Sequence, residues 1–429
     1  KDAWLDFSFR FLIERPPLWF YLLPIIWIVL LAELYDMRRA SNINDTLGGI
    51  VIATITSLFL YLIVYFTSEP NSLPRQGVGV FLIGTAFLTS IWRLIYIKIF
   101  NAPELLRRVL IIGAGRIGSE FVNIISQLRP SPFIIVGLID DDPNKLDTHI
   151  KGFKILGSGK DLISLIQINQ VTDLILAISG DINQVLFQNL LLAEENGIEI
   201  TTLPIMYEEI LGRVPISLLR SDWIIRSFVD HIHAGKFYEF SKRLIDIIGG
   251  LIGTAFLVGI APIISLALLL DSGKPIFYLQ ERLGKFGKKY TILKFRTMYP
   301  KKEGDLIQPT VENDQRITRV GHILRKTHMD ELPQFINILR GDMSLVGPRA
   351  ERLELVNQFQ EQVPFYRARL FVKPGLTGWA QINQRYASTV EETKIKLEYD
   401  LYYIKHRNLL LDFVILVRTI GTVLGFKGL

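Results

Sequence analysis

The chain lacks cysteine entirely and has comparatively few charged residues. Without cysteine it can form no disulfide framework, no thiolate zinc site and no cysteine nucleophile. Only 21% of its residues are charged and 49% are hydrophobic, whereas an average soluble domain is about 25% charged. The formal net charge of +6 over 429 residues does not by itself indicate a nucleic-acid-binding protein. The composition therefore excludes a small secreted scaffold and a disordered tail, and it favours a membrane-associated protein with soluble parts.

The first hundred residues contain three apolar runs close to the ~20 residues that a transmembrane helix needs. These runs are Leu18–Leu34, Gly49–Phe66 and Val78–Ile97. Positive charges are concentrated in the loop that contains Arg38 and Arg39 and in the residues after Lys98. By the positive-inside rule, we expect that loop and everything after Lys98 to be cytoplasmic.

Four short β-branched runs then alternate with helical stretches. The runs are Val109–Ile112, Phe133–Ile139, Leu174–Ile178 and Ile198–Leu203. This alternation is typical of a βαβ domain, and about five parallel strands fit into it.

A glycine motif follows the first of these strands. Gly113, Gly115 and Gly118 open a helix, and Asp140 ends the next strand. In a dinucleotide-binding domain, such glycines let the backbone approach a diphosphate, and the aspartate binds a ribose hydroxyl. The alternative is that the glycines serve only the packing of the turn, and that the domain binds nothing or a ligand other than NAD. We expect no cofactor at these residues unless the domain binds a nucleotide.

A further apolar segment, Arg243–Leu270, carries no charge from Ile247 onward. At ~1.5 Å per residue, that uncharged part would form ~36 Å of helix, enough to cross a membrane. Pro262 lies inside it and predicts a break or a kink.

Four clusters of polar residues follow. They are Gln280–Gly284 with Lys294–Met298, Arg325–Gln334, Gly341–Arg349 and Lys373–Asn383. In the second cluster, Pro333 belongs in the first turn of a helix. We therefore expect Asp330 and Glu331 at the N-terminus of that helix, where free N–H groups and the dipole favour anions. The alternative is an ordinary N-cap with no chemical role.

Basic residues of three clusters are candidates for binding phosphate. Lys294 and Arg296 are two positions apart in a β-like run and should project to the same face. Arg325 and Arg349 supply guanidinium groups suited to phosphate oxygens. Each alone could equally be a solvated surface charge.

Two other patterns predict no chemistry. Lys373–Gly375 has the form of a type II turn, with glycine at its third position. His231 and His233 have no obvious third ligand nearby, so we do not expect them to bind a metal.

All four clusters, in this order and after an apolar helix with an internal proline, resemble the bacterial sugar transferase family. These are membrane-bound phosphoglycosyl transferases that begin glycan assembly on polyprenyl phosphate. The similarity covers about Phe237 to Leu424. The upstream part resembles the large members, such as the undecaprenyl-phosphate galactose or glucose phosphotransferases. A similar membrane and βαβ module precedes the catalytic domain of some nucleotide-sugar dehydratases, so its glycine motif is a poor guide to the chemistry.

The resemblance implies a mixed membrane and α/β fold in three parts. These are a transmembrane helix bundle at 1–100, a Rossmann-like cytoplasmic domain at 105–228 and an α/β catalytic domain at 236–429. A re-entrant membrane helix is implied at about 244–270, with its kink at Pro262. Family members often have serine before that proline, where this chain has Ala261.

The resemblance also implies roles for individual residues. Asp330 falls on the position of the nucleophile, with Glu331 beside it and Mg²⁺ expected at both carboxylates. The phosphate-handling positions fall on Lys294, Arg325 and Arg349. The implied reaction transfers a sugar 1-phosphate from a UDP-sugar to polyprenyl phosphate through a phospho-sugar aspartyl intermediate and releases UMP. The implied setting is the bacterial inner membrane, with a cytoplasmic active site and a homodimer; no nucleic acid is expected, and the sequence does not identify the sugar.

Two other functional hypotheses fit parts of the chain. One is an NAD-dependent nucleotide-sugar oxidoreductase or dehydratase, which would use a Tyr-x-x-x-Lys pair; Tyr238 with Lys242, and Tyr290 with Lys294, have that spacing. The first pair leads into the apolar segment and the second lies in a predicted strand, so neither extends the βαβ domain. The other is a non-catalytic membrane scaffold, which would not need two adjacent carboxylates and three cations.

Overall fold

A computed structural model describes the chain in part. It covers residues 75–100, 106–128, 131–178, 180–216, 235–299, 316–384 and 389–424, with residue 314 and most of 50–62. The chain divides into two compact units, Lys1–Met206 and Tyr207–Leu429. The predicted span Leu18–Leu34 and the end of Gly49–Phe66 lie outside the described residues, as do His231 and His233.

The first unit contains one long described helix, α1, at Arg75–Phe100. It includes the predicted helical run Val78–Ile97. Within the described ranges, the helix Lys236–Ser272 alone is long and apolar enough to cross a membrane. The structure therefore does not show the predicted bundle of several spans.

A six-stranded sheet forms the rest of this unit. Its strands are β1 Arg108–Ile112, β2 Ile134–Ile139, β3 His149–Ile150, β4 Phe153–Gly157, β5 Asp173–Leu176 and β6 Glu199–Thr202, in the order β3-β4-β2-β1-β5-β6. Its helices are α2 Arg116–Ser126, α3 Leu162–Asn169 and α4 Gln184–Glu195. All strand pairs are parallel except β3 with β4. The four predicted strands are confirmed, whereas the hairpin of β3 and β4 was missed, so the sheet has six strands rather than about five.

The boundary between the two units falls within α5, Leu203–Leu211, and the second unit is built around one long helix, α6, at Lys236–Ser272. This helix begins earlier than the predicted residue 244 and continues through Pro262. The predicted break is therefore wrong, while a kink stays a prediction. A proline removes one N–H from the hydrogen-bond ladder, and the packing of Leu257 and Ile264 on the two sides of it supports the helix.

The remaining elements pack on α6 and on each other. They are β7 Phe277–Leu283, β8 Lys289–Phe295, α7 Arg319–Lys326, α8 Gln334–Arg340, β9 Ser344–Val346, α9 Leu353–Gln362, β10 Gly375–Thr377, α10 Trp379–Asn383, α11 Val390–His406 and α12 Leu409–Leu424. β7 and β8 form an antiparallel hairpin, and β9 pairs in parallel with β10. The core lies between α8, β9 and α11, where Ile338, Val346 and Leu401 are buried.

One face of α6 packs against this unit along most of its length. The buried positions of that face are Asp246, Gly250, Gly253, Leu257, Ile264 and Leu268. The glycines are required by close approach, because a Cβ at Gly253 would lie 2.4 Å from the ring of Phe335 on α8. The opposite face of α6 exposes large apolar side chains such as Leu251 and Leu266.

Both ends of α6 are also fixed to the same unit. Near its start, the guanidinium of Arg243 donates hydrogen bonds of 2.8 Å to the carbonyls of Ile338 and Leu339 at the end of α8. At its end, the guanidinium of Arg296 donates to the carbonyls of Ser272 and Lys274, both at 2.7 Å. The helix is thus an integral part of the unit that contains Asp330 and Glu331.

Candidate active site

Asp330 and Glu331 lie in a short 3-10 turn, Met329–Glu331, between α7 and α8. His328 enters the turn in the left-handed conformation with φ of 56°, and Pro333 precedes the first residue of α8. The expectation of carboxylates at a helix N-terminus is therefore wrong in detail. Pro333 occupies the cap position, and α8 is only 7 residues long. Other groups than a helix end must determine the charge state of the two carboxylates.

Two cations bind Glu331. Its Oε1 atom accepts a hydrogen bond of 2.6 Å from Lys294 Nζ on β8 and one of 2.8 Å from Arg349 Nη2 in the segment after β9. Burial of this carboxyl group opposes its ionisation, but the charges of Arg349 and Lys294 outweigh burial and hold its pKa well below the ordinary value. Glu331 is therefore a permanent anion with a fixed position.

The adjacent residue, Asp330, differs from Glu331 in its contacts and in the direction of its pKa shift. Its side chain is buried, and within the described ranges no hydrogen bond reaches its carboxylate. Burial, together with the negative charge of Glu331, raises the pKa of Asp330 to about 6, against the opposing charges of Lys294, Arg325 and Arg349. A carboxylate with no partner in a field of three cations has its oxygens available for an electrophile.

Arg325, at the end of α7, contributes to this field from another direction. Its Nε atom donates a hydrogen bond of 2.9 Å to the hydroxyl of Thr297, just after β8. The structure thus brings Lys294, Arg325 and Arg349 around the two carboxylates from three separate elements. These are the positions that the resemblance implies for phosphate binding.

Arg296 does not join them, and its predicted role in phosphate binding is wrong. Its side chain is buried against the end of α6, where it donates to the carbonyls of Ser272 and Lys274. β8 ends at Phe295, so the strand alternation that placed Arg296 beside Lys294 no longer applies. Arg296 caps a helix instead.

A small cleft lies directly beside the clamped carboxylate. Lys294, Glu331 and Arg349 line it together with Gln334. Gln334 is buried, and in the described part of the chain its Nε2 atom has no hydrogen-bond partner. An unpaired buried donor is costly, so this cleft is suited to an acceptor such as a phosphate oxygen. Sequence reasoning had not singled out Gln334, although it directly follows Pro333.

Sequence reasoning also missed a buried ionic network behind Arg349. Arg369 is 2% exposed in its side chain, pairs with Asp400 at 2.8 Å and with Glu351 at 3.2 Å, and donates a hydrogen bond of 3.0 Å to the carbonyl of Arg349. Lys396 completes the network through a hydrogen bond of 2.7 Å to Glu351. The network fixes the backbone that carries Arg349. Its partners are far apart in the chain, so no local motif announces it.

The adjacent carboxylates fit a Mg²⁺ ion only in combination with a substrate. Over the described residues, no group of three or more His, Cys, Asp or Glu side chains could hold a metal by itself. Mg²⁺ commonly takes one or two carboxylates and completes its ligands with water and substrate phosphates. Asp330 and Glu331 are compatible with that arrangement.

The type II turn predicted at Lys373–Gly375 is not formed. Gly375 begins β10 and does not have the positive φ that such a turn requires. Glycine is needed there for another reason, because a Cβ would lie 2.1 Å from the backbone nitrogen of Gly347. This close approach joins β10 to the segment that ends in Arg349.

The Tyr-x-x-x-Lys pair at the start of α6 has a structural role. Tyr238 and Lys242 both donate hydrogen bonds to Asp412 Oδ2 on α12, at 3.0 and 2.9 Å. Lys242 also bonds to the hydroxyl of Tyr403. A pair held in this way joins two helices, which removes its support for the oxidoreductase hypothesis.

The glycine motif of the first unit has its own internal partners. Asp140 accepts hydrogen bonds from the backbone nitrogen of Ala114, at 2.8 Å, and from Lys145 Nζ, at 3.1 Å. A Cβ at Gly118 would lie 2.0 Å from the carbonyl oxygen of Gly113, so this glycine is required by packing. Nucleotide binding at these residues stays a prediction.

Comparisons with known proteins match both units. A family model described as bacterial sugar transferase matches residues 237–426, and one described as CoA-binding domain matches residues 31–204. The chain is 41% identical to a UDP-N-acetylgalactosamine-undecaprenyl-phosphate N-acetylgalactosaminephosphotransferase of Aeromonas hydrophila, over 46% of this chain and 49% of that protein. The match thus spans about half of that relative.

Two further relatives are covered over two thirds of their length or more. A UDP-glucose:undecaprenyl-phosphate glucose-1-phosphate transferase of Xanthomonas campestris is 30% identical, over 75% of this chain and 67% of its own. A transferase of the same description from Caulobacter vibrioides is 37% identical, over 43% of this chain and 70% of its own.

Proposed function

This chain belongs to the bacterial sugar transferase family, and we propose that it is a phosphotransferase that moves a sugar 1-phosphate from a UDP-sugar to polyprenyl phosphate. The names of its relatives supply the substrate classes, which are UDP-sugars and undecaprenyl phosphate. The observation that carries the proposal is the unequal pair of adjacent carboxylates. Glu331 is bound by two cations, while Asp330 has no hydrogen-bond partner within the described residues and an elevated pKa of about 6.

In the proposed reaction, an oxygen of the Asp330 carboxylate attacks the phosphorus that carries the sugar. The bond from that phosphorus to the UMP oxygen breaks, and UMP leaves with the bonding electron pair. The sugar phosphate is then held as an acyl phosphate on Asp330. A phosphate oxygen of polyprenyl phosphate attacks the same phosphorus, and the carboxylate leaves, so the enzyme is regenerated. Such a two-step route lets a water-soluble donor and a lipid acceptor use one site in turn.

The cations account for much of the expected catalysis. Phosphoryl transfer depends mainly on positioning and on charge stabilisation at the transferring group. Lys294 and Arg349 line the cleft beside Glu331, and the charge of Arg325 acts on Asp330. Glu331 keeps the two cleft cations in place, which makes it a positioning residue in this scheme. A bound Mg²⁺ would neutralise charge on the diphosphate of the donor.

The contacts of α6 support a placement on the membrane rather than across it. A crossing helix separates its ends by a hydrocarbon core of ~30 Å, yet both ends of α6 bind the same charged unit. That unit includes the buried ion pairs of Arg369 and belongs in water. We therefore propose that α6 enters and leaves the bilayer on the cytoplasmic side. Multi-pass anchoring in the bacterial inner membrane and a homodimer stay predictions.

The test uses the purified full chain in nanodiscs with a panel of UDP-sugars labelled in the sugar-bearing phosphate. With the correct donor and no lipid acceptor, we expect free UMP and labelled protein. Asp330→Asn should remove both signals, because the amide is not an anionic nucleophile, and turnover should fall by ~10²-fold or more. Circular dichroism should show an unchanged fold.

Asp342→Asn is the matched control, since Asp342 lies after α8 in the same unit and no role in the chemistry is assigned to it. It should retain labelling. If UMP appears only when polyprenyl phosphate is also present and no adduct is trapped, direct transfer is the better account. If no UDP-sugar releases UMP under any condition, the proposed function is wrong.

A further inference from the structure

Large apolar side chains are exposed around the start of α6. These residues come from three elements that are far apart in the sequence. Each of the residues is exposed by half or more. We name them the apolar collar: Phe237 and Phe240 on α6, Phe286 between β7 and β8, and Leu410 and Phe413 on α12.

Specific contacts hold these three elements together. Lys285, at the tip of the β7–β8 hairpin, pairs with Glu239 in the first turn of α6 at 3.5 Å. Three residues further along α6, Lys242 pairs with Asp412 in the first turn of α12 at 2.9 Å. These long-range contacts bring the three elements that carry the collar together at the start of α6.

The collar continues the exposed apolar face of α6. Phe237 lies nine residues before the buried Asp246, so the two side chains point about 180° apart on a regular helix. Phe240 and Leu251 are also exposed on the side away from the buried face. The face that we propose to meet lipid thus extends beyond the uncharged run of α6 to its first turn.

Phe286 is the most unusual member of the collar. It has a left-handed backbone with φ of 57° in the tip of the hairpin, a conformation that bulky residues rarely adopt. The residue is 67% exposed, and its ring has a described contact with Lys285, whose Nζ atom lies 5.2 Å from the ring centroid. Most of the ring surface therefore remains available for contact with something outside the chain.

Lysines lie around the collar. Lys285 and Lys289 have carboxylate partners, Glu239 and Glu281. Lys236 and Lys288 are exposed, and within the described ranges neither is paired with a carboxylate. Exposed aromatic residues with unpaired lysines beside them are typical of a surface that binds the headgroup layer of an anionic bilayer.

We propose that the apolar collar docks into the headgroup layer of a membrane that contains anionic phospholipid. The rings and Leu410 enter the boundary with the acyl chains, while Lys236 and Lys288 lie among the phosphates. The docked collar holds the start of α6 and the hairpin at the membrane surface. This proposal rests on the membrane placement of α6 proposed above and does not depend on the transfer reaction.

The absence of cysteine makes a direct test simple. Leu410→Cys provides a single attachment site for an environment-sensitive fluorophore and leaves Phe286 in place. The labelled full chain is reconstituted in nanodiscs of phosphatidylcholine, with or without phosphatidylglycerol, and with a doxyl quencher on some lipids. With phosphatidylglycerol present, we expect quenching by the doxyl lipid and protection from aqueous iodide.

Two control labels separate the possible failures. Ile168→Cys on α3 is a matched exposed position, 76% accessible in the native residue, and should be quenched by iodide alone. Leu251→Cys reports on α6 itself. If the Leu251 label is quenched by doxyl lipid but the Leu410 label is reached by iodide, α6 meets the membrane and the collar does not. Shielding of the Leu410 label from both quenchers would mean that protein covers the collar, which would also overturn the proposal.

Paired substitutions then test the residues that define the surface. Phe286→Ser should reduce doxyl quenching of the Leu410 label several-fold, whereas Phe187→Ser, at an exposed phenylalanine on α4, should not. Lys288→Ala should weaken docking about fivefold in anionic nanodiscs only, and Lys160→Ala should leave it unchanged. Equal docking of the unmodified protein in both lipid mixtures would overturn the requirement for anionic lipid.

Discussion

The charge of Glu331 contributes, together with burial, to the raised pKa of Asp330, which we propose to be the nucleophile. Replacing Glu331 with glutamine removes a negative charge beside Asp330 and leaves Lys294 and Arg349 without their shared partner. Both changes favour the ionised form of Asp330. We therefore expect Glu331→Gln to shift the acidic limb of the pH–rate profile to lower pH, while the rate on the plateau falls.

The size of the shift follows from the environment of Asp330. Its pKa is raised from 3.8 to about 6, which means that the site favours the neutral form by about 3 kcal/mol more than water does. Burial is the larger cause, and it persists in the variant. Loss of the neighbouring charge should lower the pKa of Asp330 by about one unit, as expected for a close pair in a partly buried site.

In both proteins the rate should fall as the pH drops, because the active species in the proposed reaction is the carboxylate. In the unmodified protein, kcat/KM should fall as the pH drops through about 6. In the Glu331→Gln protein, that fall should occur at about pH 5. The assay is UMP release at low donor concentration across pH 4.5–8, since kcat/KM reports the ionisation of the free enzyme.

Glu354→Gln is a suitable control, because Glu354 is an exposed acidic residue in the first turn of α9 of the same unit. The acidic limb of the pH–rate profile of the Glu354→Gln protein should remain near pH 6. The reasoning is refuted if the unmodified protein shows no limb between pH 5 and 7. It is refuted equally if Glu331→Gln lowers the plateau and the limb stays in place, since Glu331 then does not affect the ionisation of Asp330.

Three other substitutions and one chelation experiment test the remaining assignments. Lys294→Ala should lower turnover by ~10²-fold. Arg296→Ala should instead lower the melting temperature and leave the KM for the UDP-sugar unchanged, because Arg296 caps α6. Steady-state kinetics and scanning calorimetry distinguish these two outcomes. Gly118→Ala should destabilise the first unit, because its Cβ would lie 2.0 Å from the Gly113 oxygen, and should not abolish transfer; calorimetry and UMP release measure both effects. Removal of divalent ions with EDTA should stop UMP release, and added Mg²⁺ should restore it, whereas full turnover in EDTA would contradict the metal prediction.

Local patterns in the sequence predicted the sheet of the first unit well. Parallel strands buried on both faces are continuous apolar runs, and the runs at 109–112 and 174–178 fall on β1 and β5. β3 and β4 carry no such signal, because His149–Gly157 mixes charged and apolar residues. The hairpin forms at the edge of the sheet, where one face can remain polar.

The candidate site shows where local patterns stop being informative. The family resemblance implied a phosphate-handling position for Lys294, and the structure brings its Nζ atom to 2.6 Å from Glu331 Oε1. Arg296 was misplaced because strand alternation was extended one residue beyond the end of β8. Arg369 had no local signal, since its role depends on Glu351 and Asp400, which reach it only through the tertiary fold.

The packing of α6 limits how this protein can be engineered. Gly250 and Gly253 allow α6 to approach Leu339 and Phe335 on α8, the helix that directly follows the two carboxylates. Deleting α6 to obtain a water-soluble enzyme would expose these side chains and remove the support of α8. Substituting polar residues on the exposed face of α6 keeps that contact and is the route to a detergent-free enzyme. The proposed contact with lipid and the support of α8 thus belong to opposite faces of one helix, and only one of those faces can be redesigned.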